Sequence, residues 1–165
     1  MCSIIGYSGK EVAAPIIVKG LKRMEYRGYD SVGIATESDN QINSKIQLDT
    51  LPGKVGIGHT RWATHGKVTD VNAHPHPSNS GKIAIVHNGI IENFEELKKE
   101  LESEGYNFKS ETDSEVIANL LQKNYELTEN VKETVMKTVS EIKGEYAFVA
   151  MFENGQLAAA RFHEP

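Results

Sequence analysis

The sequence predicts an α+β protein made of sheet layers with helices outside them. Three observations carry this expectation. Short apolar runs show the two-residue period of strands, and longer stretches repeat apolar residues three and four apart. Late in the chain an Asn154-Gly155 pair separates two strand-like runs, the strongest short signal of a hairpin.

In chain order, residues 3–8 read as a short strand with Cys2 at its start and Gly9 breaking it. Val12, Ile16, Ile17, Gly20, Leu21 and Met24 then recur at helical spacing, with Pro15 tolerated near the first turn. This helix should lay one face on a sheet. Residues 32–36 and 55–62 read as strands, and the polar stretch 37–49 between them as a turn or loop. Residues 82–87 form a strand with both faces buried, because Ile83, Ile85 and His87 alternate with Ala84 and Val86.

Asn93 and Glu96 have the spacing of an N-cap and its partner for a helix carrying Phe94, Leu97 and Leu101, which Gly105 stops. Thr112 and Glu115 repeat the pattern as a capping box for a helix through Val116, Ile117, Leu120 and Leu121. A third amphipathic helix runs from about Asn130 through Val131, Val135, Val139 and Ile142 to Gly144. Residues 147–152 and 157–162 are the strands of the closing hairpin.

Composition bounds the function. A chain of 165 residues, 39% hydrophobic and 25% charged, fits one globular domain with its own core. The net charge of −5 comes with no basic stripe and no aromatics interleaved with Lys and Arg, which argues against nucleic acid and for a small ligand. One cysteine cannot make an internal disulfide, so a reducing compartment such as the cytoplasm is expected. No run approaches the roughly 20 apolar residues of a membrane span, and residues 3–8 are too short and uncharged at the front for a signal peptide. The amino terminus is therefore expected to be mature once Met1 is removed.

That removal matters because the lone cysteine is residue 2. Without Met1 it carries both a thiol and a free α-amine. An α-amine titrates near 7.7–8.0 and a thiol near 8.5, so the amine can take the thiol proton at neutral pH without a large penalty. The competing reading is a buried cysteine acting as a small hydrophobe. An attack on an amide needs an oxyanion stabiliser, and Asn88-Gly89 after His87 offers a side-chain amide followed by an unhindered backbone N–H at a strand end. Asn-Gly could equally be a turn, although the following residues lead into a helix rather than a returning strand.

The cluster His59-Thr60-Arg61-Trp62-Ala63-Thr64-His65-Gly66 lies where a strand runs out, the usual place for ligand contacts. Arg61 suits a bidentate grip on a carboxylate, or else a surface ion pair. Asp113, at a helix start, could meet a substrate ammonium or simply favour the helix N-terminus. Six histidines, His74-Pro75-His76 among them and His59, His65 and His87 as further candidates, invite a metal-site reading. No His-Glu-x-x-His helix occurs, Cys2 has no cysteine neighbour, and the prolines suggest a rigid loop. Histidines with satisfied hydrogen bonds account for them without a metal.

Together these pieces resemble a class II glutamine amidotransferase domain, and most closely the glutaminase domains of the glucosamine-6-phosphate synthase branch. The resemblance rests on Cys2, Glu25-Tyr26-Arg27-Gly28-Tyr29-Asp30-Ser31, the 59–66 cluster, Asn72-Ala73-His74-Pro75-His76, His87-Asn88-Gly89-Ile90-Ile91-Glu92-Asn93 and Ser110-Glu111-Thr112-Asp113. It runs nearly end to end, so residues 1–165 form one such domain. The fold it implies is the N-terminal-nucleophile four-layer αββα sandwich, with two stacked antiparallel sheets. Carried over by position, Cys2 is the nucleophile and its α-amine the base, with Asn88 and Gly89 as the oxyanion hole. Arg61 and Asp113 hold the glutamine α-carboxylate and α-ammonium. Trp62, Thr64 and His65 belong to the loop that closes over glutamine, and Arg27 and His74 support the surroundings. No cofactor is required.

The reaction implied is hydrolysis of L-glutamine to glutamate and ammonia, with the ammonia passing to a sugar isomerase domain or subunit that binds fructose 6-phosphate and is absent here. Tyr26-Arg27-Gly28-Tyr29-Asp30 fits the sugar branch better than the purine-pathway one, which usually has His-Arg-Gly-Gln-Asp. The alternatives are that purine-pathway relative, a glutamine-binding or regulatory module without turnover, and a metal-dependent amidohydrolase. Two departures stand out. Ser3 occupies a position where the family usually has glycine, so no glycine-only conformation is expected there. The connection before Val55 is also short and is expected to lack a helix.

Overall fold

Alternation along the strands decides which residues meet between the two sheets. The computed structural model describes residues 2–25, 31–46, 50–61 and 70–163, with the backbone alone at 45, 46, 61 and 70. The first antiparallel sheet has the order β1 (Ser3–Ser8), β4 (Val55–Arg61), β2 (Ser31–Ser38), β3 (Gln41–Ile46). The second runs β5 (His76–Pro77), β6 (Ile83–Ile91), β7 (Gly144–Phe152), β8 (Leu157–Phe162). Ala35, Ile57, Ala84, Val86 and Met151 fill the space between them. Each large side chain fully buried there contributes about 1.5–3 kcal/mol relative to exposure.

The outer faces are covered by helices. On the first sheet lies α1 (Ala13–Arg23), whose Ala13, Ala14, Ile17 and Leu21 pack with Ile34 and Leu51. The approach is close because Gly58 has no side chain; a Cβ there would run into Ile17. On the second sheet lie α2 (Phe94–Ser103), α3 (Ser114–Thr128) and α4 (Val131–Glu141). Leu97, Leu101, Val116, Ile117, Leu120 and Leu121 pack there against Ile83, Ile85, Phe148 and Phe152. The result is helix, sheet, sheet, helix: the four-layer αββα sandwich expected from the resemblance.

Several expectations are corrected. The stretch 37–49 is not all loop. Ser38 pairs with Gln41 across Asp39 and Asn40, whose φ values of 54° and 57° meet the requirement of a type I′ turn, and β3 follows. The strand expected at 82–87 continues to Ile91, paired with β7 as far as Gly144. Asn88 and Gly89 therefore lie inside a strand, neither at its end nor in a turn. Residues 50–54 contain no helix.

The caps differ as well. Asn93 precedes α2, but its Oδ1 accepts from the Lys143 N–H at 2.8 Å and its Nδ2 donates to the Glu141 carbonyl at 3.0 Å. It fastens α2 to the α4–β7 connection instead of capping its own helix. The Thr112–Glu115 box does not form. Asp113 holds the N-cap position of α3, and the Glu115 carboxylate accepts the Lys109 and Ser110 N–H groups. Asn130 does cap α4, accepting from the Glu133 N–H at 3.0 Å.

Candidate active site

Ser3 pairs with Thr60, so Cys2 stands beside the end of β4 and is half-buried. Two residues beyond Ile57 on β4 comes His59, and two beyond Val86 on β6 comes Asn88. The period that sends Ile57 and Val86 into the apolar layer thus brings a histidine and an amide together at one end of it. Asn88 Nδ2 donates to the Cys2 carbonyl oxygen at 3.2 Å, and Asn88 Oδ1 lies 2.9 Å from His59 Nε2. Ser3 is buried in ordinary strand conformation, its N–H donating to Thr60 Oγ1 at 3.1 Å, so the serine meets no conformational conflict.

Gly89 has a φ of +117°, and a Cβ there would run into the Glu145 carbonyl oxygen. Both facts reserve the position for glycine. Gly89→Ala is expected to lower the unfolding free energy by about 1–3 kcal/mol from backbone strain alone. Urea denaturation reads this directly, and an unchanged midpoint would contradict it.

Asp113 sits where negative charge is favoured, at the start of α3. Its Oδ2 accepts the Ile91 N–H at 2.7 Å, tying α3 to β6 two residues past Gly89. Ile90, between them, is 61% exposed.

Behind Asn88 lies a set of buried histidines. His74 stacks on His59 with ring centroids 4.1 Å apart and meets His76 edge-on at 4.5 Å. His74 Nδ1 accepts the His87 backbone N–H at 3.1 Å, which is possible only if that nitrogen is bare, so His74 is neutral with its hydrogen on Nε2. His76 Nε2 lies 3.1 Å from Thr112 Oγ1, and His87 Nδ1 lies 2.8 Å from Ser114 Oγ. The rigid loop expected around His74 and His76 is in part strand, since His76 and Pro77 are β5.

Burial, with His59 and His76 nearby, pushes the His87 pKa down to about 3. In the unfolded chain an imidazole titrates near 6.5. Between those values the unfolded state takes up a proton that the folded state refuses, so stability falls as pH drops through that window and is unaffected above it. The loss should be on the order of a few kcal/mol. His87→Asn keeps a polar atom near Ser114 and should flatten the decline in urea midpoint between about pH 6.5 and 4; an equally steep decline would assign it to other groups.

Arg61 closes β4 opposite Ser31. Arg27, Trp62, Thr64 and His65 lie outside the described residues. Among the described residues no helix is long and apolar enough to cross a membrane.

A family model described as a glutamine amidotransferase domain matches residues 1–163. The glutamine–fructose-6-phosphate aminotransferase (isomerizing) of Pyrococcus horikoshii is 50% identical over 164 residues, covering 92% of this chain and 27% of the relative. That of Aquifex aeolicus is 52% identical over 163 residues, with 92% and 27% covered. The chain thus spans under a third of the length of these curated relatives. Among solved structures, glutamine phosphoribosylpyrophosphate amidotransferase from B. subtilis, complexed with ADP and GMP, matches with a TM-score of 0.74 at 30% identity, covering 91% of this chain and 35% of its own.

Proposed function

Because this chain belongs to the glutamine amidotransferase domain family, we propose that it hydrolyses L-glutamine to glutamate and ammonia through a thioester on Cys2. Removal of Met1 frees the α-amine of Cys2. That amine takes the thiol proton, and the thiolate attacks the carboxamide carbon of glutamine. Negative charge develops on the carboxamide oxygen, facing Asn88 Nδ2 and the Gly89 N–H. The C–N bond then breaks, the protonated α-amine gives its proton to the leaving nitrogen, and ammonia departs. Water, deprotonated by the same amine, attacks the γ-glutamyl thioester and releases glutamate, restoring the thiol.

The observation that carries this reading is the Asn88 amide held against Cys2. An amide nitrogen has two hydrogens. One is engaged by the Cys2 carbonyl at 3.2 Å, and the other would meet the substrate oxygen. The spacing also suits an amino acid. Asn88 and Ile91, whose N–H holds Asp113, are three residues apart on β6, roughly 10 Å of strand. Glutamine is about 5 Å from amide carbon to α-nitrogen, and a hydrogen bond of about 3 Å at each end fills that span. Asp113 would receive the α-ammonium and Arg61 the α-carboxylate, with Trp62, Thr64 and His65 closing over them. Arg27 and His74 would support the nucleophile and the amide.

The aminotransferase relatives from Pyrococcus and Aquifex are about half identical to this chain, against 30% for the phosphoribosylpyrophosphate enzyme. That difference favours the sugar branch: residues 1–165 acting as a glutaminase domain that supplies ammonia to a sugar isomerase domain or subunit binding fructose 6-phosphate. The decisive experiment gives processed protein L-glutamine and follows glutamate and ammonia, with and without a glutamine-like diazoketone. Hydrolysis blocked by an adduct mapped to Cys2 by mass spectrometry supports the reading. No hydrolysis, or hydrolysis that survives full alkylation of Cys2, overturns it.

A further inference from the structure

We infer that His59 is a positioning residue for the oxyanion amide, setting which end of the Asn88 side chain faces Cys2. The inference rests on the glutaminase reading for its kinetic consequences, while its structural content stands on the hydrogen bonds alone. The Cys2 carbonyl oxygen can only accept, so the Asn88 atom 3.2 Å away must be the nitrogen. The oxygen of the amide is thereby turned toward His59, whose Nε2 lies at 2.9 Å. A carbonyl oxygen cannot donate, so His59 Nε2 carries the hydrogen. If that hydrogen sat only on Nδ1, two lone pairs would face each other and the amide would be pushed to rotate, presenting an oxygen to Cys2 and to the developing oxyanion.

The histidine is itself held in place. His59 is buried on β4, and His74 stacks on its ring at 4.1 Å. His74 is anchored in turn by the His87 N–H, from the residue next to Asn88. The segment around His74 therefore serves as a wall that keeps the His59 ring at the angle the amide requires. A residue that acts this way touches no substrate, so it should affect the transition state through Asn88 and leave glutamine binding nearly unchanged.

The test uses the full processed chain. His59→Phe keeps a flat ring under His74 but has no N–H, and kcat should fall roughly ten- to hundredfold while KM for glutamine moves less than about threefold. His59→Gln, whose terminal amide can donate to Asn88 Oδ1, should recover most of that loss. In an Asn88→Ala background, His59→Phe should have little further effect, because its target is gone. A kcat unchanged by His59→Phe, or effects that multiply in the double variant, would overturn the inference. Long-range ¹H–¹⁵N spectra of labelled wild-type protein give a readout that needs no turnover. Hydrogen on His59 Nε2 is expected; a bare Nε2 overturns the inference. Inert wild-type protein with hydrogen on Nε2 would sink the glutaminase reading and leave the amide's orientation standing.

Discussion

Protein that retains Met1 is expected to hydrolyse glutamine at less than about a hundredth of the rate of protein whose first residue is Cys2, given that a general base contributes roughly 10²–10⁴-fold. In the retained form the Cys2 nitrogen is an amide, which has no basic lone pair, and the chain before it adds bulk beside the sulfur. Among the described residues, three histidines near the site each have one ring nitrogen turned to another partner. His59 Nε2 is turned to Asn88, His74 Nδ1 accepts from the His87 backbone, and His87 Nδ1 faces Ser114 on α3. Intact-mass spectrometry sorts the two forms and glutamate release measures each. Equal rates would show that the amine is not the base, whatever the fate of the thiol.

The sequence made the layers legible wherever one periodicity ran uninterrupted. Ser3–Ser8, Ala13–Arg23 and the Asn154-Gly155 hairpin fall where the pattern places them, because each buries one face on a sheet or turns on its own local chemistry. The β2–β3 hairpin was hidden because β3 is polar, an edge strand with little apolar alternation to read, and Asp39-Asn40 is a weaker turn signal than Asn-Gly. The caps at Asn93 and Thr112–Glu115 misled for a different reason. Spacing along the chain says which groups could pair locally, whereas Lys143 and Ile91 offered partners from elsewhere in the chain and Ser110 a competing one just before the helix.

Within the site, Cys2, Asn88, Gly89 and Asp113 could be singled out by residue type and position. His59 could be seen only as one member of a dense cluster and of a loose set of metal-ligand candidates. Its signal was the two-residue step from Ile57, matched by the step from Val86 to Asn88, but using it requires knowing that β4 and β6 face each other across the sandwich. Such a pairing between sheets depends on the whole fold, which local spacing does not encode.

Asn88→Ala should lower kcat for glutamine hydrolysis by about 10²–10³-fold, or about 2.7–4 kcal/mol of transition-state stabilisation, the usual consequence of removing one oxyanion donor. The KM should change little, because the proposed grip on glutamine lies at its amino-acid end, on Arg61 and Asp113. The same substitution removes the hydrogen bonds that Asn88 makes with His59 Nε2 and the Cys2 carbonyl. Stability should therefore fall by about 1–3 kcal/mol, the net contribution of two hydrogen bonds. The two losses have separate causes and separate measurements, steady-state kinetics and urea unfolding. A variant destabilised by this amount yet hydrolysing glutamine at the wild-type rate would make Asn88 a structural bridge between the sheets and move the oxyanion site elsewhere. A variant slowed a hundredfold with its fold nearly intact would leave the amide bound to the reaction itself, since the few kcal/mol lost from folding do not alter the rate of molecules that remain folded.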